Sequence, residues 1–157
     1  MTIQAQYWVH EPDRPPVEHV ADLATPEDVR QFVDLLTKER VSDAILTHSE
    51  RPRVETAIPD ENDADTFMTV PDHSVIVGVH GQRGAMSYKG NDGHAAEPVH
   101  LYSRGHGPDH PVLYETEEFP PDCEVPTEAL VNALVEFLET ARRPQTLDWQ
   151  SGSEATA

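Results

Sequence analysis

The segment Val75-Ile-Val-Gly-Val-His-Gly-Gln-Arg-Gly-Ala-Met-Ser-Tyr-Lys89 carries the strongest indication of the fold. Its first five residues form a continuous apolar run, which predicts a central strand that is buried on both faces. The turn residues Gly81-Gln-Arg-Gly84 follow, and residues 85–89 predict a second strand. We therefore expect an antiparallel hairpin in the middle of a β-sheet.

Toward the N-terminus, residues 3–9 alternate in polarity, which predicts a half-buried strand. One face of that strand carries Ile3, Ala5, Tyr7 and Val9. Residues 10–24 contain three prolines and predict a loop. Further strands are predicted at 43–48, 54–58 and 65–70.

A helix is predicted to begin at Thr25-Pro26-Glu27-Asp28. The Thr25 hydroxyl can accept a hydrogen bond from a first-turn amide, Pro26 lacks the amide hydrogen that a helix start leaves unbonded, and the two acids suit the positive end of the helix dipole. An apolar stripe follows at helical spacing: Val29, Phe32, Val33 and Leu36. We expect this helix to end near Arg40.

On the C-terminal side of the hairpin, residues 99–102 and 111–115 predict a further antiparallel pair across the loop 105–109. A second helix is predicted at 127–142, because its apolar side chains share one face. These are Leu130, Leu134, Phe137, Leu138 and Ala141. Pro144 ends the helix, and residues 146–149 predict a last short strand.

Two helices that flank a run of strands predict an α+β fold rather than a doubly wound one. We expect one domain over residues 1–150, with a mostly antiparallel sheet and both helices packed on one face. Residues 151–157 are small and polar, which predicts a disordered tail.

The chain of 157 residues has 29 acidic and 11 basic residues, a net charge of −18 with histidine neutral. This charge argues against direct electrostatic binding to nucleic acid or to an anionic membrane. Salt adaptation of the source proteome would produce the same counts. The sequence has no apolar run of membrane-spanning length and no visible secretory signal, so we expect a cytoplasmic protein.

The sequence gives little support for catalysis or for a cofactor. His106 and His110 have the separation of a helical metal pair, but Gly107 and Pro108 break any helix there. His94 and His100 would join them only if the loops folded together. The acids beside Cys123 are expected to raise its thiol pKa. Phosphate-binding and nucleophile-elbow motifs are absent. We therefore predict no enzyme activity, no metal and no cofactor.

The acidic residues form two clusters in predicted loops. The first consists of Asp60, Glu61, Asp63 and Asp65. The second consists of Glu115, Glu117, Glu118, Asp122 and Glu124, and it lies in a stretch from 105 to 141 that contains no Lys or Arg. Both clusters are candidates for a surface that attracts a basic partner, and the second is slightly favoured.

The C-terminal sequence Phe137-Leu-Glu-Thr-Ala-Arg-Arg-Pro144, followed by Leu147 and Trp149, forms a recognisable motif. It resembles the end of the Imm-one (Imm1) family of immunity proteins from bacterial polymorphic toxin systems, which often closes with F-[LV]-x-[TS]-[GA]-x-R-P, a hydrophobic residue and Trp. The family more usually has Gly where Ala141 stands. The order of elements looks similar over most of the chain, whereas the motif itself covers residues 126–149.

The resemblance implies a small cytoplasmic antidote that binds one secreted toxin domain, often a nucleic-acid deaminase or nuclease, and blocks it without chemistry. Such a toxin needs a basic groove, which suits an acidic partner. We expect a monomer or weak dimer when the chain is free. Phe137, Arg143, Pro144 and Trp149 are expected to be structural rather than toxin-binding.

Two other functions remain open at this level. One is a generic acidic interaction or regulatory domain with another partner. The other is a small enzyme or ligand-binding protein that uses the histidine-bearing residues 100–110.

Overall fold

The computed structural model describes residues 1–38, 40–57, 67–94, 97–115 and 117–151, which form two helices and twelve strands. The helices are α1 (Pro26–Leu36) and α2 (Thr127–Thr140). The strands are β1 (Ile3–Val9), β2 (Val17–Leu23), β3 (Ala44–His48), β4 (Arg53–Ala57), β5 (Phe67–Pro71), β6 (His73–His80), β7 (Arg83–Gly90), β8 (Val99–Arg104), β9 (Val112–Leu113), β10 (Glu118–Phe119), β11 (Val125–Pro126) and β12 (Asp148–Ser151).

The predicted hairpin is confirmed as β6 and β7, which pair antiparallel along their whole length. Gly81 has a φ of +69° in the turn between them, a conformation that glycine adopts at little cost. The main sheet has the order β2-β1-β3-β6-β7-β8-β12, and β11 also pairs with β7. Strand β6 is therefore central, as its apolar run predicts.

The expectation that β6 is buried on both faces is met only in part, since one face is fully buried and the other is partly covered. Val75 and Val77 are fully buried, whereas Ser74 and Ile76, which point the other way, are only partly buried. Both helices pack on the face that Val75 and Val77 share, which we call the helix face. We call the opposite side the open face.

The helix face holds the main core, and its residues come from the stripes that the sequence identifies. The strands contribute Ile3, Ala5, Leu46, Val75, Val77, Met86 and Tyr88, and the helices contribute Val29, Phe32, Val33, Leu36, Leu130, Leu134, Phe137 and Leu138. The α+β prediction, with both helices on one face of a mostly antiparallel sheet, is confirmed.

The predicted loop over residues 10–24 contains strand β2, which the sequence analysis missed. Strand β2 pairs with β1 from Val17–Val9 to Leu23–Ile3 and forms one edge of the sheet. Most of its side chains are exposed, so an edge strand of this kind lacks the apolar alternation that marks a buried one.

The first helix begins as predicted but ends earlier than Arg40. The Thr25 hydroxyl accepts a hydrogen bond from the Asp28 amide, and the Asp28 carboxylate accepts one in return from the Thr25 amide. At the other end, the Thr37 hydroxyl donates to the Asp34 carbonyl, and Arg40 has a φ of 74°. The α-helix therefore ends at Leu36, and the chain is in the left-handed region by Arg40.

The predicted pairing of residues 99–102 with 111–115 is wrong. Strand β8 pairs with β7 and β12 instead, and β9 pairs with β10 in a separate two-stranded sheet. The chain between β8 and α2 leaves the main sheet and crosses over its open face. The alternation of polar and apolar residues predicts that a segment forms a strand, but it does not indicate which other strand pairs with it.

The second helix ends at Thr140, two residues before the predicted end. Ala141 closes it with a φ of 59°, in the left-handed region, and its amide donates to the Phe137 carbonyl at 2.8 Å. The last predicted strand, 146–149, is present but shifted to Asp148–Ser151. Residues 152–157, most of the predicted tail, lie outside the described residues.

Candidate functional site

Residues 105–115 and 117–124, which we call the overlying segment, lie against the open face of β6, β7 and β8. The Tyr114 ring lies directly over Gly78, where any side chain would overlap it. The segment also bonds to itself, since the Gly105 amide donates to the Asp122 carbonyl at 2.6 Å and the Glu124 amide to the Gly107 carbonyl at 3.2 Å. Gly78 is thus needed for this close approach.

A second, smaller core holds the overlying segment to the sheet. Its buried members are Ala85, Tyr102, Tyr114, Phe119 and Cys123. The rings of Tyr114 and Phe119 lie 4.8 Å apart, and those of Tyr102 and Phe119 lie 5.1 Å apart. Burial, with a contribution from Glu124, raises the pKa of the Cys123 thiol to about 12, so the thiol stays protonated at neutral pH.

Two acids of the second cluster accept hydrogen bonds from buried side-chain hydroxyl groups. Glu117 accepts hydrogen bonds from the Tyr102 hydroxyl at 2.6 Å and the Ser87 hydroxyl at 3.3 Å. Glu124 accepts one from the Tyr114 hydroxyl at 3.2 Å. Burial first, and then these carboxylates, raise the pKa of both tyrosines, so both phenols remain donors. The Glu117 carboxylate therefore bonds the overlying segment to β7 and β8, and the Glu124 carboxylate bonds two parts of that segment together.

The other three acids of this cluster are exposed. Glu118 lies in β10, and Asp122 lies in a turn with a φ of 60°. Glu115 lies 3.0 Å from the imidazole Nε2 of His10, at the end of the overlying segment nearest β1. These three carboxylates are more exposed than those of Glu117 and Glu124.

The first acidic cluster, Asp60, Glu61, Asp63 and Asp65, lies outside the described residues. It follows β4 and precedes β5, which pair antiparallel. This two-stranded sheet carries exposed apolar side chains at Val54, Phe67 and Met68.

The C-terminal motif residues make contacts within the chain. The Phe137 ring is fully buried against the rings of His48 and His73. The Arg143 guanidinium donates to the Asp92 carboxylate at 2.9 Å and lies 5.4 Å from the centre of the Trp149 ring. The Trp149 indole in turn donates to the carbonyl of buried Pro144 at 2.8 Å.

A hollow of about 480 Å³ opens beside the overlying segment. It is lined by Trp8, His10, Pro16, Ser42, Asp43 and Glu115. The sequence analysis did not identify it as a site. One signal was available, because the alternation of β1 places the large aromatic Trp8 on the face opposite Ile3 and Ala5.

The histidines do not assemble a metal centre within the part of the chain that the structure describes, where no group of three or more His, Cys, Asp or Glu side chains has suitable geometry. His48 and His73 are buried, and the His48 amide donates to the His73 ring at 2.9 Å. His106 and His110 are exposed.

The family model described as Immunity protein Imm1 matches residues 18–151, well over half of the chain. The chain belongs to the Imm1 immunity protein family. No curated protein and no solved structure matches it. Membership confirms the resemblance drawn from residues 126–149 and extends it almost to the N-terminus.

Membership in the Imm1 family supports an immunity role, in which the protein binds a cognate toxin. Within the described residues, no helix is long and apolar enough to cross a membrane. The two helices cover one side of the sheet, and the overlying segment covers part of the other.

Proposed function

We propose that this Imm1 protein is a cytoplasmic antidote that occludes the active cleft of a nucleic-acid-acting toxin, a deaminase or a nuclease, without catalysing a reaction. The observation that carries this proposal is the position of Glu115, Glu118 and Asp122, which are exposed on the same side of the sheet. A toxin that grips phosphates presents a basic cleft, and an acidic face complements it.

The acids have different roles in the proposed complex. Glu118 and Asp122 are exposed, and the Asp122 carboxylate also accepts a hydrogen bond from the Gly107 amide at 3.1 Å. Both contribute attraction at a distance and raise the association rate. Glu117 and Glu124 keep the overlying segment in place and contribute indirectly. Asp60, Glu61, Asp63 and Asp65 add further negative potential and serve the same steering purpose.

The experiment is co-expression with the toxin domain encoded by the adjacent reading frame. We expect cells that express the toxin domain alone to stop growing and cells that also express this chain to recover. An unrelated acidic protein of similar size and charge is the control, and it is expected to give no rescue. Absence of both growth rescue and a purified complex would contradict the immunity role.

Nucleic acid from the toxin-expressing cells distinguishes the two toxin classes. A deaminase leaves strands intact and changes bases, which sequencing detects, whereas a nuclease leaves strand breaks, which electrophoresis detects. This chain is expected to abolish either change. If growth is rescued but the toxin alters no nucleic acid, the immunity role stands and the proposed toxin class is wrong.

A further inference from the structure

The hollow beside the overlying segment combines an aromatic wall with two carboxylates. Trp8 in β1 and Asp43, immediately before β3, lie side by side because the backbone of Trp8 exchanges hydrogen bonds with Ser42. The Trp8 amide donates to the Ser42 hydroxyl, and the Ser42 amide to the Trp8 carbonyl, both at 2.8 Å. Glu115 of the overlying segment completes the rim.

The environment of Asp43 is largely enclosed. The residue is 6% exposed, and its Cβ lies near Gly78 on the open face, close to Tyr114. A carboxylate at such a depth interacts more strongly with a cation than a solvated one does, because the local dielectric constant is lower. Among the described residues that line the hollow, none is Lys or Arg, and the His10 ring bonds to the Glu115 carboxylate at its rim.

We propose that this hollow receives one basic side chain of the toxin, an arginine by preference, as the central anchor of the complex. This inference rests on the proposed function and names the partner group at its interface. A guanidinium stacks on an indole and pairs with carboxylates, so Trp8, Asp43 and Glu115 together match arginine in shape and charge. A neutral or acidic side chain gains neither interaction.

The surroundings of the hollow resemble those of an interface anchor. Val20 is 56% exposed and pairs with Gln6, and Gln6 also pairs with partly buried Ile45. Gln6 lies two residues before Trp8 in β1, so its side chain and those of its partners Val20 and Ile45 lie on the same face as Trp8. An anchor pocket with apolar neighbours that exclude water is typical of binding hot spots.

The test measures dissociation of the purified chain from the toxin domain encoded by the adjacent reading frame. Trp8→Ala and Asp43→Asn are expected to speed dissociation about 30-fold or more, the change typical of a hot spot. Glu115→Lys gives a second test that does not threaten folding, because Glu115 is exposed, and it is also expected to speed dissociation strongly. The control is Glu139→Lys, which makes the same charge change at an exposed position of α2 on the other side of the sheet. Its dissociation rate is expected to equal that of wild type.

A double-mutant cycle identifies the occupant. Each Arg and Lys of the toxin domain is replaced by Ala in turn. The dissociation of each toxin variant is measured from the wild-type chain and from the Asp43→Asn chain. One toxin residue is expected to show strong coupling to Asp43, and the others weak coupling. Wild-type dissociation for Trp8→Ala and Glu115→Lys, or no coupled basic residue, overturns the inference while the immunity role stands. If the wild-type chain neither binds the toxin nor rescues growth, both this inference and the immunity role are contradicted.

Discussion

At the scale of single residues, Ala141 closes α2 in a conformation that favours glycine. Its φ of 59° places the Cβ close to the following carbonyl, which costs an alanine about 1 kcal/mol. The Imm1 motif more usually has Gly at this position, and the geometry supplies the reason. The chain therefore tolerates a small local cost at its C-terminal motif.

We predict that Ala141→Gly stabilises the protein by about 0.5–1 kcal/mol, because glycine adopts this cap conformation without steric cost. The free energy of unfolding in urea measures the effect. Ala129→Gly is the matched control within α2, and it is expected to destabilise by about 1 kcal/mol. A loss of stability in both variants would contradict the assigned cap.

Another residue-scale feature is the buried ring of His73. Its Nε2 accepts a hydrogen bond from the His48 amide at 2.9 Å, so Nδ1 carries the hydrogen that is donated to the Asp72 carboxylate at 3.0 Å. Burial lowers the pKa of His73 below 6.5, and the Asp72 hydrogen bond partly opposes this. Protonation at Nε2 would also break the bond from His48.

The folded chain therefore favours neutral His73, whereas the unfolded chain takes up a proton near pH 6.5. This contribution to stability is complete above that pH and is lost as the pH falls below it. We predict that wild type loses more unfolding free energy between about pH 7.5 and 5.5 than His73→Gln does. His110→Gln removes an exposed histidine as the control, and equal losses in wild type and His73→Gln would refute the prediction.

At the scale of elements, α2 connects the core to the C-terminal motif. Its buried face contacts the sheet through Leu134 and Phe137, and its C-terminal turn leads into the bonds among Asp92, Arg143 and Trp149. A defect in this helix therefore reaches both the core and the last strand.

Replacement of Leu134 or Phe137 by Ala is predicted to cost about 2–5 kcal/mol each, because both side chains are fully buried and leave a cavity. Asn132→Ala on the exposed side of α2 is the control and is expected to stay within about 0.5 kcal/mol of wild type. Chemical denaturation measures all three variants.

Trp149→Ala is also predicted to destabilise, since the half-buried indole packs against the core and bonds to Pro144. The informative measurement combines the melting temperature with toxin binding. An unchanged melting temperature together with abolished binding would assign Trp149 to the interface instead of the core.

At the scale of the whole molecule, the net charge of −18 acts over distances that single contacts do not reach. The charge belongs to both sides of the sheet, so its total value does not locate a partner. The two sides differ in the shape of their surface. The helices cover one side, and the overlying segment and its hollow lie on the other.

We predict that association with the toxin slows steeply as salt is added while dissociation changes little, because exposed charges are screened beyond about 8–10 Å. Replacing Glu118 and Asp122 by their amides is expected to slow association at low salt and to flatten its salt dependence. The same change at Asp60, Glu61, Asp63 and Asp65 tests the first cluster. Stopped-flow mixing over a range of salt concentrations measures both.

The control replaces Asp34 and Glu139, which are exposed on the helices, by their amides. If this pair slows association as much as Glu118 and Asp122 do, the attraction comes from net charge and not from the open face. If no cluster alters the rate at low salt, the acidity is a solubility or salt-adaptation trait.

The sequence predicts the acidic residues of the candidate site but not the role of each. The exposed acids Glu115, Glu118 and Asp122 are visible as a cluster in the sequence, but the same cluster also contains Glu117, whose carboxylate serves two internal hydroxyl groups. Charge alone does not separate the two roles, because burial depends on which sheet face the loop covers. The hydroxyl groups that Glu117 bonds belong to Ser87 in β7 and Tyr102 in β8, which are distant along the chain.

The sequence by itself determined the elements whose signals are local. The apolar run from Val75 and the Gly81 turn predict the central hairpin, and the helical stripes on α1 and α2 predict which face of each helix is buried. The C-terminal motif indicates the family. Tertiary structure alone decided the paths of β2 and the overlying segment and brought Trp8, Asp43 and Glu115 around one hollow. Such convergence depends on packing between distant segments, and local periodicity carries no information about which distant surfaces meet.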